Sequence, residues 1–160
     1  MVPPDDLPAI DHGARVRHVV DELGDTDALL ITDLVDVRWL TGFTGSNGWV
    51  VIRPDEVMLG TDGRYGDRAR AETSGSGVVV IAERNRSRLD GRMHQALAGA
   101  TAVGLDDSTT THRAWVALAA EHHVRATPSP VGRARQVKDE AEIARIACAA
   151  AATDAALEQV

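Results

Sequence analysis

The chain is poor in aromatic residues, which make up 3% of its 160 positions: three Trp, one Phe and one Tyr. It holds a single cysteine, Cys148. No internal disulfide can form, which fits a reducing compartment or indifference to redox state. Cys148 lies in an alanine run, where a small buried residue is expected rather than a reactive thiol. Base is not in excess either. The 17 Lys and Arg stand against 24 Asp and Glu, a net charge of −7. That is the wrong sign for a face that neutralises phosphates, so nucleic acid is excluded as a partner. No apolar run approaches the roughly 20 residues of a membrane span. Met1-Val2-Pro3-Pro4-Asp5-Asp6 has neither a basic n-region nor an apolar h-segment, so no secretory leader is read there. A cytoplasmic protein without a membrane partner is expected.

What is present is ordinary in bulk and unusual in one place. Hydrophobic content of 44% and charged content of 26% are those of a soluble globular domain. Three of the five aromatics fall in Arg38-Trp39-Leu40-Thr41-Gly42-Phe43-Thr44-Gly45-Ser46-Asn47-Gly48-Trp49. Glycines at 42, 45 and 48 permit positive φ or close backbone approach. The aromatics beside them form a wall, either of a core, with Trp39 and Phe43 packed inward, or of a binding surface. The G-x-x-G-x-x-G spacing is neither a Walker loop nor a dinucleotide fingerprint. Ser46 fails the G-x-S-x-G elbow of hydrolase nucleophiles.

Periodicity places a helix over 9–23, stopped at Gly24, and a buried strand over 27–32. The stretch 34–40 is ambiguous, read as a helical turn leading to a short strand. Strands over 49–53 and 56–61 flank the Pro54-Asp55 turn as an antiparallel hairpin. A polar helix is expected over 67–72, a strand over 78–81 and a basic amphipathic helix over 84–98. Beyond them come a strand over 102–106, a helix over 112–123 capped by Thr110 or Thr111, and a strand over 124–127. The whole predicts an α/β fold, a mixed β-sheet with helices on both faces. Residues 139–160 are alanine-rich and strongly helical, with an apolar stripe at Ile143, Ile146, Ala150 and Leu157.

Candidate chemistry is sparse. The six histidines (12, 18, 94, 112, 122 and 123) show no metal spacing, and Glu121-His122-His123 reads as a solvated helix end. Asp106-Asp107, before Ser108-Thr109-Thr110, reads as turn and cap rather than a carboxylate pair. Asp62-Gly63-Arg64-Tyr65 sets an acid, a guanidinium and a phenol around a glycine turn. It fits either a reader of a polar ligand or a local ion pair closing the turn.

Three motifs together resemble a known family. Arg38-Trp39-Leu40-Thr41-Gly42-Phe43-Thr44-Gly45-Ser46-Asn47-Gly48, then Thr61-Asp62-Gly63-Arg64-Tyr65, are similar to the N-terminal domain of the creatinase/prolidase/aminopeptidase P group. Arg135-Gln136-Val137-Lys138-Asp139-Glu140-Ala141-Glu142-Ile143 resembles that family's link into its catalytic domain. The glycine-aromatic version is most like bacterial Xaa-Pro aminopeptidases or dipeptidases.

The resemblance implies a non-catalytic N-terminal α/β domain over 1–132, with 133–160 as linker and first helix of a catalytic domain otherwise absent. That second, "pita-bread" domain carries two Asp, one His and two Glu on a pair of divalent metals (Mn, Co or Zn), whose bridging water attacks the bond before proline. This chain is therefore expected to hold no catalytic or metal residues and no cofactor of its own. Its implied partners are its own catalytic domain, a second copy in a homodimer and, for the parent enzyme, short proline-containing peptides. The implied role is to support dimerisation and narrow the active-site entrance, with Trp39, Phe43, Asn47, Asp62, Arg64 and Tyr65 at that entrance or against the neighbouring subunit. The alternative is a stand-alone binding or assembly module of the same fold.

Overall fold

The computed structural model describes residues 6–24 and 26–158. Residues 1–5 of the stretch in which no secretory leader is read, and the end of the expected terminal helix at Gln159 and Val160, lie outside them. Two compact units make up the chain: His12–Ala134, and a smaller one in which the segment up to Asp11 joins Arg135 onward.

In the larger unit the elements run α1 (His12–Asp21), β1 (Ala28–Ile31), α2 (Leu34–Thr41), β2 (Gly48–Ile52), β3 (Val57–Asp62), α3 (Gly66–Glu72), β4 (Val78–Glu83), α4 (Arg86–Leu97), β5 (Val103–Asp106), α5 (His112–Ala119), β6 (Val124–Thr127) and α6 (Pro130–Ala134). The six strands form one sheet in the order β4-β3-β2-β1-β5-β6. β2 is antiparallel to both its neighbours and every other pairing is parallel. The β2–β3 pairing follows from the tight 53–56 turn, where Arg53 N–H donates to the Glu56 carbonyl at 2.9 Å. A short turn can only return an antiparallel strand, whereas the other connections carry helices.

Alternation along the strands sorts the core into two layers. Leu29, Ile31, Val50, Ile52, Val57 and Leu59 face one side and pack with Val16 and Val19 of α1, Val37 and Leu40 of α2, Ala69 of α3 and Val131 of α6. Ala28, Leu30, Trp49, Val51, Met58, Val103 and Leu105 face the other, under Leu89 and Leu97 of α4 and Leu118 of α5. Apolar residues on both faces of the central strands demand cover on both, and the helices supply it.

The ambiguous stretch is a helix, α2, and its ends explain why. Asp33 Oδ1 accepts from the N–H groups of Val35 and Asp36 at 2.8 and 3.0 Å. Gly42, at φ 80°, closes the other end, its N–H donating to the Arg38 carbonyl. Two helices are shorter than their periodicity predicts. α1 gives way after Asp21 to i−3 bonds from Glu22 to Val19 and from Leu23 to Val20. α5 stops at Ala119, and Glu121 and His122 both donate to the Leu118 carbonyl, so His122 and His123 stand outside the helix. α6 is an addition, begun by Pro130 with Ser129 Oγ accepting from Gly132 N–H at 2.9 Å.

The smaller unit is built on α7 (Glu140–Leu157). Asp139 and Glu142 form a reciprocal capping box, with bonds of 2.7 and 3.1 Å. Arg145 donates to the carbonyls of Ala141 and Pro8 at 2.9 and 2.7 Å, tying the helix to the N-terminal segment. Ala141 is its buried residue, whereas Ile143, Ile146 and Leu157 are 55%, 55% and 69% exposed. No helix among the described residues is long and apolar enough to cross a membrane.

Candidate functional site

The loop from Gly42 to Asn47 runs from α2 into β2, and polar bonds fasten it at three points. Thr44 binds Glu72 at the end of α3 through its N–H and hydroxyl, at 2.9 and 2.6 Å. Ser46 Oγ and the Tyr65 hydroxyl lie 2.8 Å apart. Asn47 Nδ2 donates to Asp62 Oδ2 at 3.0 Å, while the Asn47 carbonyl accepts from Thr61 Oγ1 at 2.6 Å. Glu72, Thr44 and Ser46 were not among the candidates, since no motif marks bonds between residues 28 or 19 positions apart.

Asp62 ends β3 and is the hub. Its carboxylate receives a bidentate guanidinium from Arg64, Nε to Oδ1 and Nη2 to Oδ2, both at 2.9 Å. Arg64 N–H adds a third bond to Oδ1 at 3.1 Å. The Arg64 side chain, then Asn47, hold the Asp62 carboxyl well below the usual carboxylate range despite partial burial. Asp62 reciprocally raises the Arg64 guanidinium. The Ser46 hydroxyl, more than the Arg64 charge, lowers the Tyr65 phenol. Arg64 and Arg68 both approach the Tyr65 ring, with guanidinium carbons 5.2 and 5.7 Å from its centroid.

Asn47, Asp62, Gly63 and Arg64 share an open concavity of about 590 Å³ with Arg84, Asn85 and Arg86. β3 and β4 are parallel with Asp62 opposite Glu83, so the 63–65 turn and the 84–86 turn leave the same edge of the sheet. The Arg64 side chain is 73% exposed. Its Nε–H and one Nη2 proton are committed to Asp62, which leaves three donors, two on Nη1 and one on Nη2. The concavity is thus locally basic on an acidic chain, suited to holding a carboxylate or another planar anion.

The other two candidates lie elsewhere. Phe43 is 1% exposed, in the core, with its ring edge-on to Tyr65 at 6.0 Å between centroids. Of the two readings open for it, the inward one describes its position. Trp39 is half-buried against α1, where Arg15 lies 4.3 Å over its ring and donates to its carbonyl at 2.8 Å. Asp106 serves its turn: its Oδ1 accepts from Ser108 N–H and Oγ at 2.8 and 2.6 Å. Burial alone would raise that carboxyl, but the Ser108 and Ser129 hydroxyls bring it below its ordinary value.

The family model for the creatinase/prolidase N-terminal domain matches residues 14–146. The chain belongs to that family. Among solved structures it is similar to the N-terminal domain of the cytoplasmic peptidase PepQ from Mycobacterium tuberculosis H37Rv. The identity is 31% and the TM-score 0.63, over 75% of this chain and 97% of that one. The fold also matches an Xaa-Pro dipeptidase from Bacillus anthracis, at 24% identity and a TM-score of 0.70, over 82% of this chain and 37% of that one. An uncharacterized peptidase, YqhT, of Bacillus subtilis (strain 168) is 38% identical over 65 residues, 41% of this chain and 18% of that protein. The creatinase/prolidase N-terminal domain thus spans only part of the length of the whole enzymes it resembles.

Proposed function

We propose that this domain serves a cytoplasmic Xaa-Pro peptidase as a non-catalytic entrance element, supporting dimerisation and restricting the active site to short peptides. The observation that carries the reading is the half-buried Asn47–Asp62 pair holding the exposed Arg64 at the sheet edge, in a concavity shared with Arg84 and Arg86 and beside Tyr65. A pre-organised guanidinium beside a phenol fits the free carboxylate of a short peptide, and bidentate geometry gives it direction as well as charge. Phe43 contributes from the core, by holding the Tyr65 ring edge-on. The exposed Ile143, Ile146 and Leu157 of α7 are in keeping with a further domain that covers them.

The two divalent metals of such enzymes are assigned no ligands among the described residues. Among the described residues the one grouping of three metal-capable side chains is His94, Glu121 and His122, which is not a set of two Asp, one His and two Glu. The hydrolytic step is accordingly assigned to a catalytic domain, and the residues described above bind and orient.

The test is steady-state kinetics of the protein as expressed from its full coding frame, on Xaa-Pro dipeptides, tripeptides and longer peptides. Arg64→Ala and Tyr65→Phe are expected to raise KM about tenfold for the shortest substrates with little change in kcat, the mark of lost ground-state binding. Unchanged kinetics at every peptide length would remove the entrance role. A frame holding no second domain would favour the stand-alone module.

A further inference from the structure

The last turn of α4 and the turn after α5 bring three potential metal ligands together, and the Asp62 cluster uses none of them. His94 Nδ1 lies 2.9 Å from His122 Nε2 and 3.4 Å from Glu121 Oε2. The three ligand atoms all fall within 4.8 Å of one another. We propose that His94, Glu121 and His122 form a binding site for one divalent transition-metal ion of the zinc type.

The ring geometry supports this. The two imidazoles are 10° from parallel with centroids 5.1 Å apart. With facing nitrogens at 2.9 Å, that is a nearly coplanar, head-to-head pair rather than a face-to-face stack. One proton can sit between the two nitrogens. A cation in its place takes both lone pairs, and each ring then carries its proton on the outer nitrogen. At zinc–nitrogen distances of about 2.0–2.1 Å, tetrahedral geometry sets the two nitrogens about 3.3 Å apart. The nitrogens need part by only a few tenths of an ångström, and each ring must turn by about 35° so that its lone pair aims at an ion lying off the line between them. Glu121 supplies the anionic third ligand and solvent the rest.

The ligands also stand on anchored elements. His94 lies one turn before Leu97, which is fully buried, and Leu89 pins the start of the same helix. Glu121 and His122 are held by backbone bonds of 3.1 and 2.9 Å to the carbonyl of Leu118, itself 6% exposed. Two positions 28 residues apart are therefore fixed independently, which reduces the entropy lost on binding. Two imidazoles and one carboxylate suit zinc, nickel, cobalt or copper rather than magnesium or calcium, which take oxygen ligands. Bound there, the ion would clamp the end of α4 to the turn that leads into the edge strand β6.

The experiment is calorimetric titration of the 160-residue chain, freed of metal by chelator, with Zn²⁺ and separately with Mg²⁺, together with thermal melts. One Zn²⁺ per chain is expected, with no Mg²⁺ response, and a melting point raised by about 5–10 °C at a hundredfold excess over Kd. His94→Gln and His122→Gln should each weaken Zn²⁺ at least about tenfold, while His112→Gln should leave it unchanged. If either ligand variant fails to fold, imidazole nitrogen NMR of the unaltered chain decides. Zn²⁺ should then shift the His94 and His122 resonances and not those of His18 and His112. Absence of saturable Zn²⁺ binding, binding that persists in the double variant, or shifts confined to other histidines would each overturn the site.

Discussion

The Phe43 ring fills the space that a side chain at residue 45 would need. A Cβ built on Gly45 would stand 2.1 Å from Phe43 Cζ and 2.8 Å from both Cε atoms. The middle glycine of the loop is thus required by close approach. The first, Gly42, is required by its left-handed backbone.

Gly45→Ala is therefore expected to destabilise the domain by about 1–3 kcal/mol through overpacking, read from the midpoint of urea unfolding. Shortening the ring should relieve the clash. Phe43→Leu and Gly45→Ala together are expected to cost less than the sum of the two singles. Strict additivity in that cycle would mean that the ring is not what forbids a side chain at residue 45.

A second expectation concerns the cap of α7. Asp139→Ala removes the side-chain bond to Glu142 N–H while the residue 139 N–H can still donate to Glu142, a loss of about 1 kcal/mol. α7 buries only Ala141, so its first turn has little packing to hold it once the cap is gone. Faster native-state hydrogen exchange at Ile143 and its neighbours, with exchange in β1 and β2 unaltered, is the expected pattern. Unchanged exchange along α7 would show that Arg145 and the N-terminal segment suffice to hold the helix.

These two cases mark how far the sequence could be read. Strands such as 28–31, buried on both faces, and the hairpin around Pro54-Asp55 were legible because periodicity and turn chemistry are local. α2 was not, since its eight residues carry too little pattern and its existence rests on Asp33 and Gly42 at its ends. The same local logic overran α5, whose apolar members end at Ala119 while the expected helix ran on to His123, past the point where Leu118 takes two backbone donors. In the candidate site, Asp62, Arg64 and Tyr65 could be named together because they are adjacent in the chain. Thr44 and Glu72 could not, nor could His94 and His122: their meeting is a product of how the sheet orders its helices. Phe43 was visible as significant, but its direction was not, because glycine-flanked aromatics serve cores and surfaces alike.

Asp27 gives the remaining prediction, on pH. It precedes β1 and clasps the start of β5: Oδ2 accepts from Thr101 N–H and Oγ1 at 2.8 and 3.1 Å, and Oδ1 from Ala102 N–H at 2.9 Å. The Thr101 backbone bond, then that of Ala102, lowers its carboxyl from 3.8 to about 2. A depressed carboxyl stabilises the fold at pH values above its unfolded pKa, and that contribution fades as pH falls through the folded value. Asp27→Asn keeps one acceptor oxygen where the native carboxylate has two. It should therefore melt below the native chain near pH 7, with the gap closing as pH drops from about 4 toward 2. Melting curves of both proteins across that range are the check. A gap that stays constant with pH would mean that the clasp works through shape rather than charge, since a neutral acceptor would then lose no more at pH 7 than in acid.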